Sequence, residues 1–208
     1  MWILTDNAGQ ILRHPMARLP KTWTPSDSGP VRDYDQAPPE RIHADGWRPI
    51  GDRPPVEWWQ TARPAMPPGD PDAPGIWIVE PLPLDDVRAI QKQRLADWET
   101  SARAAGCPVT IETDTGPLAF RVDCRPDDVL NWTAGNSLFD MTGQAPIPVR
   151  GWDNVTRHLT PAQYDALVVQ VGAFVAGLMG RRWQIKDRIA AAADVAAVVA
   201  ITFDEETA

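Results

Sequence analysis

Up to about residue 83, apolar and polar positions alternate in short bursts. Beyond it they lengthen into helical spacing. Trp2–Thr5 and Gln10–Arg13 are apolar runs of strand length, with Asp6-Asn7-Ala8-Gly9 between them as turn chemistry, so a hairpin is predicted over residues 1–13. Arg41–His43 and Trp47–Ile50 flank Ala44-Asp45-Gly46, the pattern of a second hairpin. Val56–Ala62 and Ile76–Glu80 make a third pair of strands across a Pro/Gly gap from Pro64 to Gly75. Their prolines predict edge strands or ribbon, because proline has no N–H for a sheet ladder. His14–Glu40 shows neither period and reads as an ordered loop or arm with little to bury.

From Leu84 the period changes. Asp85 or Asp86 caps a helix whose apolar residues Val87, Ile90, Leu95, Trp98, Ala102 and Ala105 share a side, and Gly106 stops it. Val109–Glu112 and Leu118–Asp123 form a hairpin, and Pro126 then opens a helix through about Phe139. Ile147–Val149 and Val155–Leu159 form another hairpin across Gly151-Trp152-Asp153-Asn154. Thr160-Pro161-Ala162-Gln163 is a strong helix start: Thr160 caps, Pro161 takes the first helical position and Gln163 completes a capping box. The long helix that follows carries Tyr164, Val168, Val171, Val175, Leu178, Ile185, Ile189 and Ala192 at steps of four and three, with Arg182 as the one miss. It packs on the preceding hairpin and, in a sharper reading, also meets its own copies. A short helix near Val195–Ala200, behind Asp194, closes the chain.

The fold class is therefore α+β: a small Pro/Trp-rich β unit, a connector helix, then a β-hairpin–helix–β-hairpin–long-helix domain. Sixteen of the 22 prolines precede residue 85, which sets the boundary. The expected parts are a ribbon-like attachment unit (1–83), a connector helix (84–106) and a C-terminal domain (107–208).

Net charge of −8, with no cluster of Lys or Arg, argues against nucleic acid and anionic membrane surfaces as partners. The N-terminus lacks the basic and apolar regions of a signal peptide, so synthesis in a cytoplasm is expected. Leu167–Gly180 reads as too short and too interrupted for membrane insertion. Cys107 and Cys124 are expected as reduced thiols, as suits a cytoplasmic product. His14, His43 and His158 are scattered, so no metal or other cofactor is expected. No catalytic residue is assigned. The paired acids Asp85-Asp86 and Asp127-Asp128 both fall at helix starts, where carboxylates meet free N–H groups.

The ten tryptophans are the unusual feature. Trp47, Trp58, Trp59 and Trp77 lie in the β unit. They serve either as its core, since each ring buries a large area, or as anchors against a partner. In an extended strand the adjacent Trp58 and Trp59 point to opposite faces, one inward and one outward.

The order of motifs resembles a known family. Ile11-Leu-Arg-His-Pro15 is followed by the proline-rich tract, Gly75-Ile-Trp-Ile-Val-Glu-Pro81 and the helix ending near Trp98 and Ala105. Then come Val109-Thr-Ile-Glu-Thr-Asp114, Phe120-Arg-Val-Asp-Cys-Arg125, Arg150-Gly-Trp-Asp-Asn-Val155 and Leu159-Thr-Pro-Ala-Gln163. This is similar to bacteriophage tail-fibre-associated proteins with a C-terminal tail domain, closely over about 85–200 and loosely before. The chain departs from that pattern in its tryptophan richness and in Gly172, Gly177 and Gly180 of the long helix, which cost helix stability. The resemblance implies a virion tail protein with other tail or fibre proteins, and its own copies, as partners. It leaves open a tail-fibre assembly chaperone and a sugar-binding receptor module.

Overall fold

The computed structural model describes residues 1–6, 8, 10–25, 29–67, 73–143 and 145–203, with only the backbone at His14, Asn136 and Asp140. The chain divides into two compact units, Met1–Pro83 and Leu84–Ala208, and both helices and strands contribute, giving an α+β protein.

The first unit is built on a three-stranded antiparallel sheet of β1 (Trp2–Thr5), β2 (Ile11–Met16) and β5 (Trp47–Pro49), with β1 in the centre. β2 is an edge strand and carries Pro15. Its register on β1 shifts between Trp2↔Met16 and Leu4↔Arg13, a bulge that takes the proline out of the ladder. The segment expected as a loop holds a two-strand ladder, β3 (Thr22–Trp23) with β4 (Val31–Arg32), and a 3-10 turn at Tyr34–Gln36. That expectation weighed average composition and missed four large side chains. Leu19 and Tyr34 are buried in the core with Leu4, Ile42 and Trp47, and Trp23 and Met16 pack against it.

Residues Arg41–His43 are also corrected. They lie in a helix, α1 (Pro39–Ala44), not a strand. Pro39 sits in the first turn beside Glu40, Arg41 and His43 are in the last turn, and the Arg48 guanidinium donates to the His43 carbonyl at 2.6 Å. Gly46 follows with φ +87°, and a Cβ there would run into the Thr5 carbonyl, so glycine is required where α1 turns into β5. The hairpin of β6 (Gln60–Ala65) and β7 (Ile76–Pro81) completes the unit. β6 starts four residues later than the alternation suggested, and the consequence for Trp58 and Trp59 is given below.

In the second unit α2 (Leu84–Ala104) is not a free connector. It buries Val87, Gln91, Leu95 and Glu99 within this unit. The hairpin of β8 (Cys107–Thr113) and β9 (Gly116–Val122) alternates strictly, with Cys107, Val109, Ile111, Phe120 and Val122 buried. α3 (Pro126–Thr142) and the hairpin of β10 (Ile147–Arg150) and β11 (Thr156–Leu159) lead to α4 (Pro161–Ala191), and α5 (Val195–Val199) follows, capped by Asp194. The N-terminal half of α4 supplies Tyr164, Leu167 and Val171 to a core shared with both hairpins. Its C-terminal half supplies Ile185 and Ile189 to a second cluster with Leu95 of α2 and Ile201. The Gln91 side chain donates to the Ile201 carbonyl at 2.8 Å and ties the end of the chain to α2.

α4 runs unbroken for 31 residues through all three glycines. The segment read as too short for a bilayer thus lies in a helix that, by length and composition alone, is long and apolar enough to cross one. One of its stripes is nevertheless packed into the unit's two cores.

Candidate functional site

The tryptophans singled out from the sequence end in three different settings. Trp47 is 0% exposed and meets Trp23 edge-on, with ring centroids 5.3 Å apart. It is core, and its candidacy as a partner contact is withdrawn, because no face of the ring reaches solvent. Trp58 and Trp59 do not lie in a strand. They occupy the central positions of a turn in which the Gln60 N–H donates to the Glu57 carbonyl at 2.9 Å, and the Gln60 side chain accepts from the Glu57 N–H at 3.1 Å. A turn has no period of two, and both rings are half-buried rather than one in and one out. Trp77, on β7, is half-buried and its indole N–H donates to the Gly51 carbonyl at 2.9 Å. The structure therefore places Trp58 and Trp59 in the turn just before β6, at the open end of the β6–β7 hairpin, and sends Trp47 elsewhere.

Thr160 and Gln163 are where the sequence placed them. The Thr160 hydroxyl accepts from the Gln163 N–H at 3.3 Å, and the Gln163 side-chain oxygen accepts from the Thr160 N–H at 2.9 Å. The remaining Gln163 amide donates to the Glu112 carbonyl at 2.8 Å, so the cap also fastens α4 to β8.

Larger apolar groups in water were missed, and they lie in the second unit. Trp152 is 54% exposed, at the tip of the β10–β11 hairpin. The loop that presents it is held firmly: the Trp152 N–H donates to the Arg121 carbonyl at 2.8 Å, and Asp153 takes two hydrogen bonds from Arg157, at 2.7 and 3.0 Å. The Arg157 guanidinium, which also lies 4.4 Å from the Phe120 ring centre, holds the Asp153 carboxyl down at about 2 through these bonds. α3 exposes Leu130, Leu138 and Met141, and α4 exposes Val169 and Trp183. A legible signal existed for these last two, since they fall off the helical stripe that includes Tyr164, Val171 and Ile189.

A buried ion-pair cluster helps to hold this unit together. Glu99 is buried between Arg103 at 3.1 Å and Arg182 at 2.8 Å, which joins α2 to α4. The thiols of Cys107 and Cys124 are both free and both buried. Burial pushes the Cys107 thiol up to about 11, with Cys124 nearby adding to the effect, and burial raises Cys124 as well. Such protonated thiols are poor nucleophiles. Among the described residues no group of three or more His, Cys, Asp or Glu side chains converges to hold a metal ion.

A family model matches residues 86–204, from the first turn of α2 to beyond α5. The chain belongs to this family, DUF4376, a domain of unknown function. The DUF4376 match takes in nearly all of the second unit and none of the first. No curated protein and no solved structure matches the chain.

Proposed function

We propose that the chain is a structural component of a bacteriophage tail, linking a tail fibre to the tail tip or baseplate by protein–protein contacts and carrying out no chemical step. The observation that carries this reading is the large apolar surface that its DUF4376 unit leaves in water. Met141 is 85% exposed and Val169 69%, and Trp152 and Trp183 are each more than half exposed. Rings and branched chains presented on a hydrogen-bonded loop and on long helices are the material of permanent interfaces. The first unit adds Trp58 and Trp59 in the turn that leads into β6, in a chain whose prolines stiffen it. The tail setting itself rests on the resemblance of Val109–Asp114, Phe120–Arg125 and Leu159–Gln163 to tail-fibre-associated proteins.

Quantitative mass spectrometry of gradient-purified particles tests the reading. A constant copy number per particle, close to that of fibre or baseplate subunits, is expected. Presence in lysate during assembly but absence from finished particles would replace it with the assembly-chaperone reading.

A further inference from the structure

α4 has two apolar sides. The packed side contains Tyr164, Leu167, Val171, Leu178, Ile185 and Ile189. At about 100° per residue, the line Ala166, Val169, Ala173, Ala176, Gly180 and Trp183 runs along the opposite side, about half a turn away. Its side chains face solvent except at Gly180, which is half-buried, and Val169 and Trp183 are exposed by 69% and 60%. The steps along this line are three, four, three, four and three, the spacing of a seam that meets another helix.

We propose that this face pairs with the same face of a second copy of the chain, with the two α4 helices antiparallel. The sizes and charges along the line are self-complementary about a two-fold axis between Ala173 and Ala176. Turned end for end, Ala173 meets Ala176 of the second copy, Val169 meets its Gly180 and Trp183 meets its Ala166, so each bulky group faces a small one. The flanking charges follow the same symmetry. Asp165 comes beside Lys186 of the second copy, and the pair forms twice. Among the described residues neither Asp165 nor Lys186 has an ion-pair partner within the chain. A parallel pair would instead stack Trp183 on Trp183 and set Asp187 against Asp187. Only the antiparallel arrangement uses both the sizes and the charges, and it is the isologous contact of a two-fold dimer. The face is about 30 Å long and about one helix wide, which places it among small interfaces and points to a dissociation constant in the micromolar range. Self-pairing follows from the face alone, whether or not the chain is a tail protein.

Sedimentation equilibrium of the full chain, from about 1 to about 200 µM, tests it. A monomer–dimer equilibrium is expected. Asp165→Lys and Lys186→Glu each set like charges together at both ends, and each is expected to weaken the dimer about tenfold. An equimolar mixture of the two variants restores opposite charges at both ends and is expected to recover dimer as a heterodimer. That recovery also shows that both variants are folded. Trp183→Ala is expected to weaken association without the mixture effect. A wild-type chain that stays monomeric throughout overturns the proposal, as do charge variants that dimerise like wild type or a mixture that does not recover. A monomer that floats with phosphatidylcholine–phosphatidylglycerol vesicles would assign the face to lipid instead, and would also overturn it.

Discussion

Thr160 holds the first turn of α4 from both directions, and its effect on stability is the cleanest at the scale of single residues. Thr160→Ala removes the cap and leaves an N–H of the first turn unsatisfied, so a loss of about 1 kcal/mol in urea unfolding is expected. An unchanged midpoint would contradict the cap's role. The buried thiols make a second case. The folded-state pKa of Cys107 is raised, to about 11, above its unfolded value near ~8.5. A raised acid contributes stability that is complete below the unfolded pKa and disappears as pH climbs through the folded one. The melting temperature is therefore expected to fall between about pH 8.5 and 11, and Cys107→Ala to flatten that fall. Iodoacetamide at pH 8 is expected to leave both thiols of the native chain unmodified and to label both after denaturation; labelling of native Cys107 would contradict its burial. The cap was legible because its chemistry is local: Thr, Pro and Gln in fixed order specify a helix start wherever it occurs. Trp47 was not. Whether a tryptophan is core or anchor depends on Trp23 and Tyr34, which come together only through a ladder between two-residue strands.

Among the elements, the long helix and the two hairpins of the second unit were readable because each repeats one period over enough residues to be unambiguous. The β8–β9 hairpin buries alternate residues without a miss along β8. The errors of element type fell on segments of two to six residues. Arg41–His43 is too short for a period to show, and Pro39 with the charges of one helical turn decided it. Val56–Trp59 has β-forming side chains, yet the Gln60 side chain closes a turn around the two tryptophans, a contact that propensity does not contain. The glycines of α4 are the opposite situation, where a local penalty is present and the helix forms regardless because packing at both ends outweighs it. A Cβ added at Gly172 or Gly177 would meet nothing within 4 Å. Gly172→Ala and Gly177→Ala are thus each expected to stabilise the chain by about 0.8–1 kcal/mol, read by thermal melting. Destabilisation by either would mean that the open side of the helix is occupied in the monomer.

At the scale of the molecule, the distribution of prolines marked the boundary at residue 83, because a change in backbone stiffness is a property of composition and needs no contacts. That α2 belongs to the second unit was hidden: its buried Gln91 and Glu99 look like surface residues until the Ile201 carbonyl, Arg103 and Arg182 are beside them. With its own two hydrophobic clusters, a fragment of residues 84–208 is expected to unfold cooperatively, at a temperature close to that of one transition of the full chain. A molten fragment would contradict independent cores. Exposure of Trp152 was likewise illegible, since outward and inward tryptophans in a loop read the same in a sequence. The central claim, that these surfaces fix the chain permanently between tail and fibre, is tested most directly by electron microscopy of particles carrying a gold-labelled epitope on this chain. The account predicts gold at the root of each fibre, where it leaves the tail. Particles without gold, or gold at the distal fibre tips where receptors are bound, would contradict it.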